Sequence, residues 1–296
     1  MTAPDAVTLV PADAFDWSTG TGPAAVVRRV VELSAADDGA APLDEAALLE
    51  LRHGLGSSSL WVAGADGFAW LHDGAVDLAV APAARRHGLG SQLLTAATTD
   101  AAGPLSAWSH GNHPGASVLA ARHGFDRVRD LWVMRRSLTG LPALPEAADG
   151  IDVRTFQPGR DEEAWLSLNA AAFAHHPEQG RMTRADLDER TAQPWFDPEG
   201  FFVATRDQQL VGFHWTKVHD EARPYGEVYV VGVSPHAQGG GLGRRLTLTG
   251  LHHLASLGLD EVILYVEADN APAVAVYERL GFTHAPADTH VQYARA

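Results

Sequence analysis

An α/β (α+β) fold in two tandem domains is what this sequence predicts, and two observations carry the expectation. The first is a repeated loop. Arg85-x-x-Gly88-x-Gly90 recurs 153 residues later as Gln238-x-x-Gly241-x-Gly243, and Pro82 and Pro235 just upstream keep the same separation. The second is a repeated helix stop: Gly124-Phe125 recurs 157 residues on as Gly281-Phe282. A shared order of strand, glycine-rich loop, helix, strand, helix and Gly-Phe marks an internal duplication. The expected division is 1–140 for the first domain, 141–150 for a linker and 151–296 for the second.

The elements follow from local pattern. A short strand over 6–11 opens the chain. Helices are expected over Ala24–Leu33 and Asp44–His53, with Asp44 as N-cap. Strands over Ser58–Ala63 and Gly67–His72 flank an Ala-Asp-Gly turn at 65–67, a hairpin signal. An apolar strand over Ala75–Pro82 leads into the first loop and a helix through about Ala101. Leu105–His110 reads as a strand, Gly115–His123 as a helix and Leu131–Leu138 as a strand. Residues 139–150 (Thr-Gly-Leu-Pro-Ala-Leu-Pro-Glu-Ala-Ala-Asp-Gly) have no periodicity and read as the linker.

The order then repeats. Asp152–Phe156 is a strand, and Glu162–Ala174 and Thr183–Gln193 are helices, the latter capped by Thr183. A hairpin spans Phe201–Arg206 and Leu210–His219. Glu227–Ser234 is the apolar strand before the second loop, and Arg244–Leu257 the helix after it. Glu261–Glu267, Ala271–Leu280 and His290–Arg295 are strand, helix and strand.

Composition narrows the function. Hydrophobic content of 46% with 20% charged residues describes a globular chain. The absence of cysteine excludes disulfides, thiolate metal sites and a cysteine nucleophile. A net charge of −15 disfavours nucleic-acid binding. No apolar run is long enough to cross a membrane, and no basic-then-apolar leader opens the chain, so a cytoplasmic monomer is expected. His175-His176 and His252-His253 lack the spacing and carboxylates of a metal site, and no metal is expected. The positive charge that exists is gathered at Arg85, Arg86, Arg244 and Arg245, beside the loops. A run of glycine amides opening a helix suits a pyrophosphate.

The second-half pattern, Gln238-x-x-Gly241-x-Gly243 followed by Asn270-x-x-Ala273-x-x-x-Tyr277-x-x-x-Gly281-Phe282, resembles the GCN5-related N-acetyltransferase (GNAT) superfamily. That resemblance implies, in each half, a mixed, mostly antiparallel twisted sheet flanked by helices, and acetyl-CoA as co-substrate. Acetyl transfer needs a base for the acceptor ammonium and an acid for the departing thiolate. Glu227, four residues before Val231, is expected to be the general base. Tyr277 is expected to be the general acid. In the first half the matching positions are Gly74 and Ala120, so that half is expected to keep the fold without turnover.

The segment Asn169-Ala-Ala-Ala-Phe173-Ala-His175-His176-Pro177-Glu178-Gln179-Gly180, with Trp195-Phe196-Asp197-Pro198 and Gly212-Phe213-His214-Trp215-Thr216-Lys217, is similar to the mycothiol synthase family. That family acetylates the cysteinyl amine of a cysteinyl-glucosaminyl-inositol, the last step of mycothiol biosynthesis. The resemblance implies that Glu45, Glu178, Lys217, Glu227 and Tyr265 contact the acceptor. It implies that Val231, Gly232 and Val233, then Gln238, Gly239, Gly240, Gly241, Leu242, Gly243 and Arg244, line the productive acetyl-CoA site. Asn270, Ala271, Pro272, Ala273, Val274 and Ala275 complete it. A first-half site would use Leu78, Ala79 and Val80 with Arg86, His87, Gly88, Leu89, Gly90 and Ser91. There Asn112 or His113 must stand in for Asn270. Two alternatives remain: another small amine or a peptide N-terminus as acceptor, or an acyl-CoA-binding regulator without turnover.

Overall fold

The computed structural model describes residues 6–99, 101, 103–146, 150–174, 179–220 and 223–296. In chain order the first elements are β1 (Val7–Val10), α1 (Gly22–Asp38), α2 (Glu45–Arg52), β2 (Ser59–Ala63), β3 (Gly67–His72), β4 (Ala75–Val80), α3 (Leu89–Thr98), β5 (Leu105–Ser109), α4 (Pro114–Arg122) and β6 (Asp126–Ser137). They are followed by β7 (Asp152–Thr155), α5 (Glu162–Ala172), α6 (Arg184–Thr191), β8 (Phe201–Arg206), β9 (Gln209–His219), β10 (Tyr225–Val233), α7 (Leu242–Ser256), β11 (Glu261–Glu267), α8 (Ala271–Arg279) and β12 (Thr283–Arg295).

The chain forms two compact units that interleave in sequence. One comprises Met1–Trp132, Glu267–Asp269 and Ala285–Ala296; the other comprises Val133–Val266 and Asn270–His284. A cut at residues 140 and 150 would leave the last strand with the second half. Instead Val291–Arg295 pairs antiparallel with β5. The physical reason is burial: Val291 and Tyr293 join Leu93, Leu94 and Leu105 in the core of the first unit.

In the first unit the strand order is β1-β2-β3-β4-β5-β12. One face packs under α1 and α2 through Val27, Val30, Leu51, Leu60, Phe68 and Trp70. Asp44 caps α2 by accepting from the Ala47 amide at 2.8 Å, the arrangement its sequence position predicts. In the second unit the order is β11-β10-β9-β8-β7. Thr183 and Asp186 form a reciprocal capping box on α6.

The second unit has two packed faces. On one, Trp165 of α5 meets Phe201, Phe213 and Trp215 at 5.3–5.9 Å in edge-on geometry. On the other, α7 lies close against β8 and β9, with Leu242 and Leu246 over Ala204. Small residues permit the approach. A Cβ at Gly250 would sit 2.2 Å from the His214 ring. His214 is fully buried, and its Nδ1–H donates to the Leu246 carbonyl at 2.8 Å. Burial drives its pKa down to about 4, so the imidazole is neutral.

Candidate active site

Strand β10 is where the second unit opens. Its antiparallel register with β9 runs from Tyr225↔His219 to Val233↔Gly212, with a bulge at Tyr229. Its parallel register with β11 covers only Gly226↔Val262, Glu227↔Ile263 and Val228↔Leu264. A bulge adds twist and bends its strand, and here it coincides with the parting of β10 from β11. Beyond it, Val231, Gly232 and Val233 stay paired to β9 on one side only. A backbone edge thus lies open for an extended ligand arm. The first unit repeats the feature, since β4 and β5 pair in parallel only at Ala75↔Ser106. There Leu78, Ala79 and Val80 are held by β3.

The loop after β10 turns on two left-handed residues, Gly239 (φ +88°) and Gly241 (φ +77°), the latter capping α7. A Cβ at Gly239, Gly240 or Gly241 would meet nothing within 4 Å. The loop thus leaves open space around these three glycines at the positive end of a fifteen-residue helix. Leu242 is buried and anchors the turn, while Arg244 is exposed at its rim. Arg245 is turned inward to the Pro145 carbonyl at 2.8 Å. Gln238 reaches back toward the Val233 carbonyl at 3.5 Å.

The first loop reproduces the path. Arg86 (φ +68°) and Gly88 (φ +87°) occupy the positions of Gly239 and Gly241. A non-glycine residue in this region costs about 1–2 kcal/mol, so the first copy bears strain that glycine relieves in the second. Gly88 caps α3, whose first turn carries Leu89, Gly90 and Ser91, with His87 just before it. Ser91 Oγ lies 2.6 Å from His123 Nε2. Arg85 is bound bidentate to Asp38 at 2.7 Å through each terminal nitrogen.

Asn270 caps α8 by accepting from the Ala273 amide at 3.2 Å, with Ala271, Pro272, Ala273, Val274 and Ala275 forming the first turns. The first-half stand-in is His113, whose Nδ1 accepts from the Gly115 amide at 3.0 Å as cap of α4. Asn112 takes a left-handed turn position instead.

Glu227 is 6% exposed. By register it shares a sheet face with Lys217 opposite and with Tyr225 and His219 beside it. Its Oε2 lies 2.6 Å from His219 Nε2. The Lys217 ammonium sits over the rings of Trp195 (4.5 Å) and Tyr229 (5.3 Å), a geometry that stabilises a cation. Arg190 of α6 donates to the Tyr229 hydroxyl at 3.2 Å. Tyr265 is two residues beyond the Glu227 partner Ile263 on β11, hence on the same face, and is 42% exposed. Glu45 is the first residue of α2 in the first unit. Glu178 lies outside the described residues. Buried Asn169 donates from Nδ2 to the Gln179 backbone carbonyl at 2.7 Å and accepts at Oδ1 from Gln179 Nε2 at 2.9 Å.

Tyr277 on α8 packs edge-on against Phe282 at 5.8 Å. Burial pushes its phenol up to about 12, so it holds its proton at neutral pH. In the first unit, Gly74 is the second residue of the tight β3–β4 turn, with Asp73 and Gly74 both at positive φ, and Ala120 is a buried apolar contact. Neither position carries a proton-transfer group.

Sequence reasoning gave no site role to His219, Tyr229 or Arg190, and quoted Trp195 only within a motif. The pairing of Lys217-x-His219 against Tyr225-x-Glu227 was the available signal. It needed the hairpin register, which the strand bounds alone did not fix.

Comparison with known proteins places these features. The Acetyltransferase (GNAT) family model matches residues 165–282, and an Acetyltransferase (GNAT) domain model matches 56–127. A tandem GNAT protein from the clavulanic acid biosynthesis pathway aligns over 98% of each chain at TM-score 0.68 and 19% identity, which shows the shared fold. A GCN5-related N-acetyltransferase from Sphaerobacter thermophilus aligns over 99% of this chain and 96% of its own at TM-score 0.67 and 26% identity. The mycothiol acetyltransferase of Nocardioides sp. is 54% identical over 92% of this chain and 97% of its own. That of Actinosynnema mirum is 53% identical over 87% and 90%. With agreement of this depth across both halves, the chain belongs to the mycothiol acetyltransferase family of acetyl-transferring enzymes, built from two GNAT domains.

Proposed function

We propose that this protein transfers the acetyl group of acetyl-CoA to the cysteinyl amine of 1D-myo-inositol 2-(L-cysteinylamino)-2-deoxy-α-D-glucopyranoside, the last step of mycothiol biosynthesis. The observation that carries the reading is the near full-length identity to relatives of that name. The second unit would do the chemistry, because there the glycine loop is accompanied by the carboxylate of Glu227 and the phenol of Tyr277, whereas the matching first-unit positions are Gly74 and Ala120.

The residues present fit acetyl-CoA. The amides of Gly239 through Gly243, with Arg244 at the rim, would hold the pyrophosphate. The open edge of Val231, Gly232 and Val233 would bind the pantetheine arm, and the Asn270–Ala275 turn would flank it. Bound acetyl-CoA supplies an activated acetyl thioester. Glu227 removes a proton from the acceptor ammonium, freeing the nitrogen lone pair to attack. An amide of the Val231–Val233 stretch donates to the carbonyl oxygen as charge builds there. Tyr277 would give its phenolic proton to the sulfur as the C–S bond breaks, and the second proton lost from the acylated nitrogen would restore the phenol. Lys217, Tyr265, Glu45 and Glu178 are proposed acceptor contacts. In the first unit the loop of Arg86, His87, Gly88, Leu89, Gly90 and Ser91 is proposed to keep a cofactor-shaped site without turnover.

The test is an assay of purified protein with acetyl-CoA and the cysteinyl-glucosaminyl-inositol amine, beside an aminoglycoside acceptor. The reading predicts acetylation of the first and little of the second. No product from the cysteinyl amine would sink it.

A further inference from the structure

His219 lies outside every role assigned so far, yet its ring nitrogen is within hydrogen-bond distance of Glu227. The two residues sit on neighbouring antiparallel strands, two pairing positions apart, and share a face. His219 Nε2 and Glu227 Oε2 are 2.6 Å apart, with 20% and 7% of the two side chains exposed. An ionised carboxylate only accepts, so Nε2 carries the hydrogen in this bond. The imidazole is itself fixed by stacking on Tyr225, with centroids 4.4 Å apart and planes 10° apart. A ring clamped between a tyrosine face and a carboxylate has little freedom to rotate.

The consequence is for the other oxygen. A carboxylate with one oxygen tied to a fixed donor presents the second in a single direction. A mobile base would have to be ordered at each turnover, and orientation is a large part of what an active site contributes. We propose that His219 is a positioning residue for Glu227: its Nε2–H holds Oε2 and leaves Oε1 aimed at the acceptor ammonium. The inference rests on the reading of Glu227 as the base. The other charged or titratable groups around the pair are Lys217 and Asp220 on the His219 side, Tyr225 and Tyr229 on β10, Glu261 and Tyr265 on β11, and Arg190 on α6.

Three substitutions separate the donor from the ring. His219→Phe keeps an aromatic face for Tyr225 and loses the donor. His219→Gln keeps an N–H donor and loses the ring. His219→Ala loses both. The expected result is a fall in kcat of about tenfold in the Phe and Ala variants, the scale of one charge-assisted hydrogen bond. The loss falls on kcat rather than on the acceptor KM, and acetyl-CoA affinity stays unchanged. The Gln variant recovers most of the lost rate. A purely structural role would instead spare Phe, leave the Gln variant unrescued and lower thermal stability. His219→Phe turning over like wild type, or His219→Gln as poor as His219→Ala, overturns the proposal. Glu227→Gln run alongside keeps the two ideas apart. If that variant retains full turnover, the base assignment itself fails. If it is inactive while His219→Phe turns over like wild type, only the positioning role fails.

Discussion

Gly250→Ala tests whether the close seating of α7 on β9 organises the second unit. The added methyl would lie 2.2 and 2.3 Å from Cε1 and Nδ1 of His214 and 2.8 Å from Thr216 Cγ2. Ordinary van der Waals contact requires the ring to retreat by about 1 Å, into a core of native density. Overpacking of this kind costs about 1–3 kcal/mol. The retreat also breaks the buried hydrogen bond to the Leu246 carbonyl, and an unpaired buried polar group costs about 1–3 kcal/mol more. Against this, alanine in a helix interior gains about 1 kcal/mol over glycine. The net expectation is destabilisation by about 3 kcal/mol. Urea unfolding followed by tryptophan fluorescence measures it, since Trp165 and Trp215 are both buried in this unit. A variant as stable as wild type, or more so, would refute the packing argument.

The remaining predictions concern pH and the first loop. His214 has a folded pKa of about 4 against an ordinary 6.5. Its depressed value means the fold requires the neutral imidazole. That contribution is complete above pH 6.5 and is lost as pH falls toward 4, about 3 kcal/mol in all. Denaturant midpoints for wild type and His214→Gln between pH 7.5 and 4 check this. The wild-type curve should fall more steeply through that window, and parallel curves would contradict the assignment. Gly88→Glu places a side chain at φ +87° in open space, costing about 1–2 kcal/mol of stability and adding an anion to the first loop. Turnover should stay within about twofold of wild type. A collapse of turnover in a folded variant would show that the first loop takes part in the reaction.

Much of the site was legible because its signals are chemical rather than topological. Glycines at the left-handed positions 239 and 241, the caps at Asp44, Thr183 and Asn270, and the Gly-Phe stops are each forced by local backbone needs. Spacing alone therefore revealed the duplication. The long strands were less legible. Residues 126–130 of β6 (Asp-Arg-Val-Arg-Asp) are charged and largely exposed, with Arg127 paired to Asp130 at 2.6 Å, so no apolar alternation announces them. The first half of β12 carries Pro286 and is mostly exposed, which hid its start and left only its buried end visible. Ion pairs between distant segments, such as Arg129 with Glu267, leave no periodic trace. The pairing of His219 with Glu227 was hidden for the same reason: it depends on register across a loop, and several registers satisfy the hydrophobic pattern equally.

The most direct test of the division of labour is Glu227→Gln assayed for turnover with the cysteinyl amine and, on the same preparation, for acetyl-CoA affinity by calorimetry. A general base contributes about 10²–10⁴ in rate. The account predicts a loss of that size in kcat with acetyl-CoA binding unchanged, because the proposed cofactor contacts, the glycine loop and the open β10 edge, do not include the carboxylate. Full turnover, or loss of cofactor binding ahead of turnover, would contradict it.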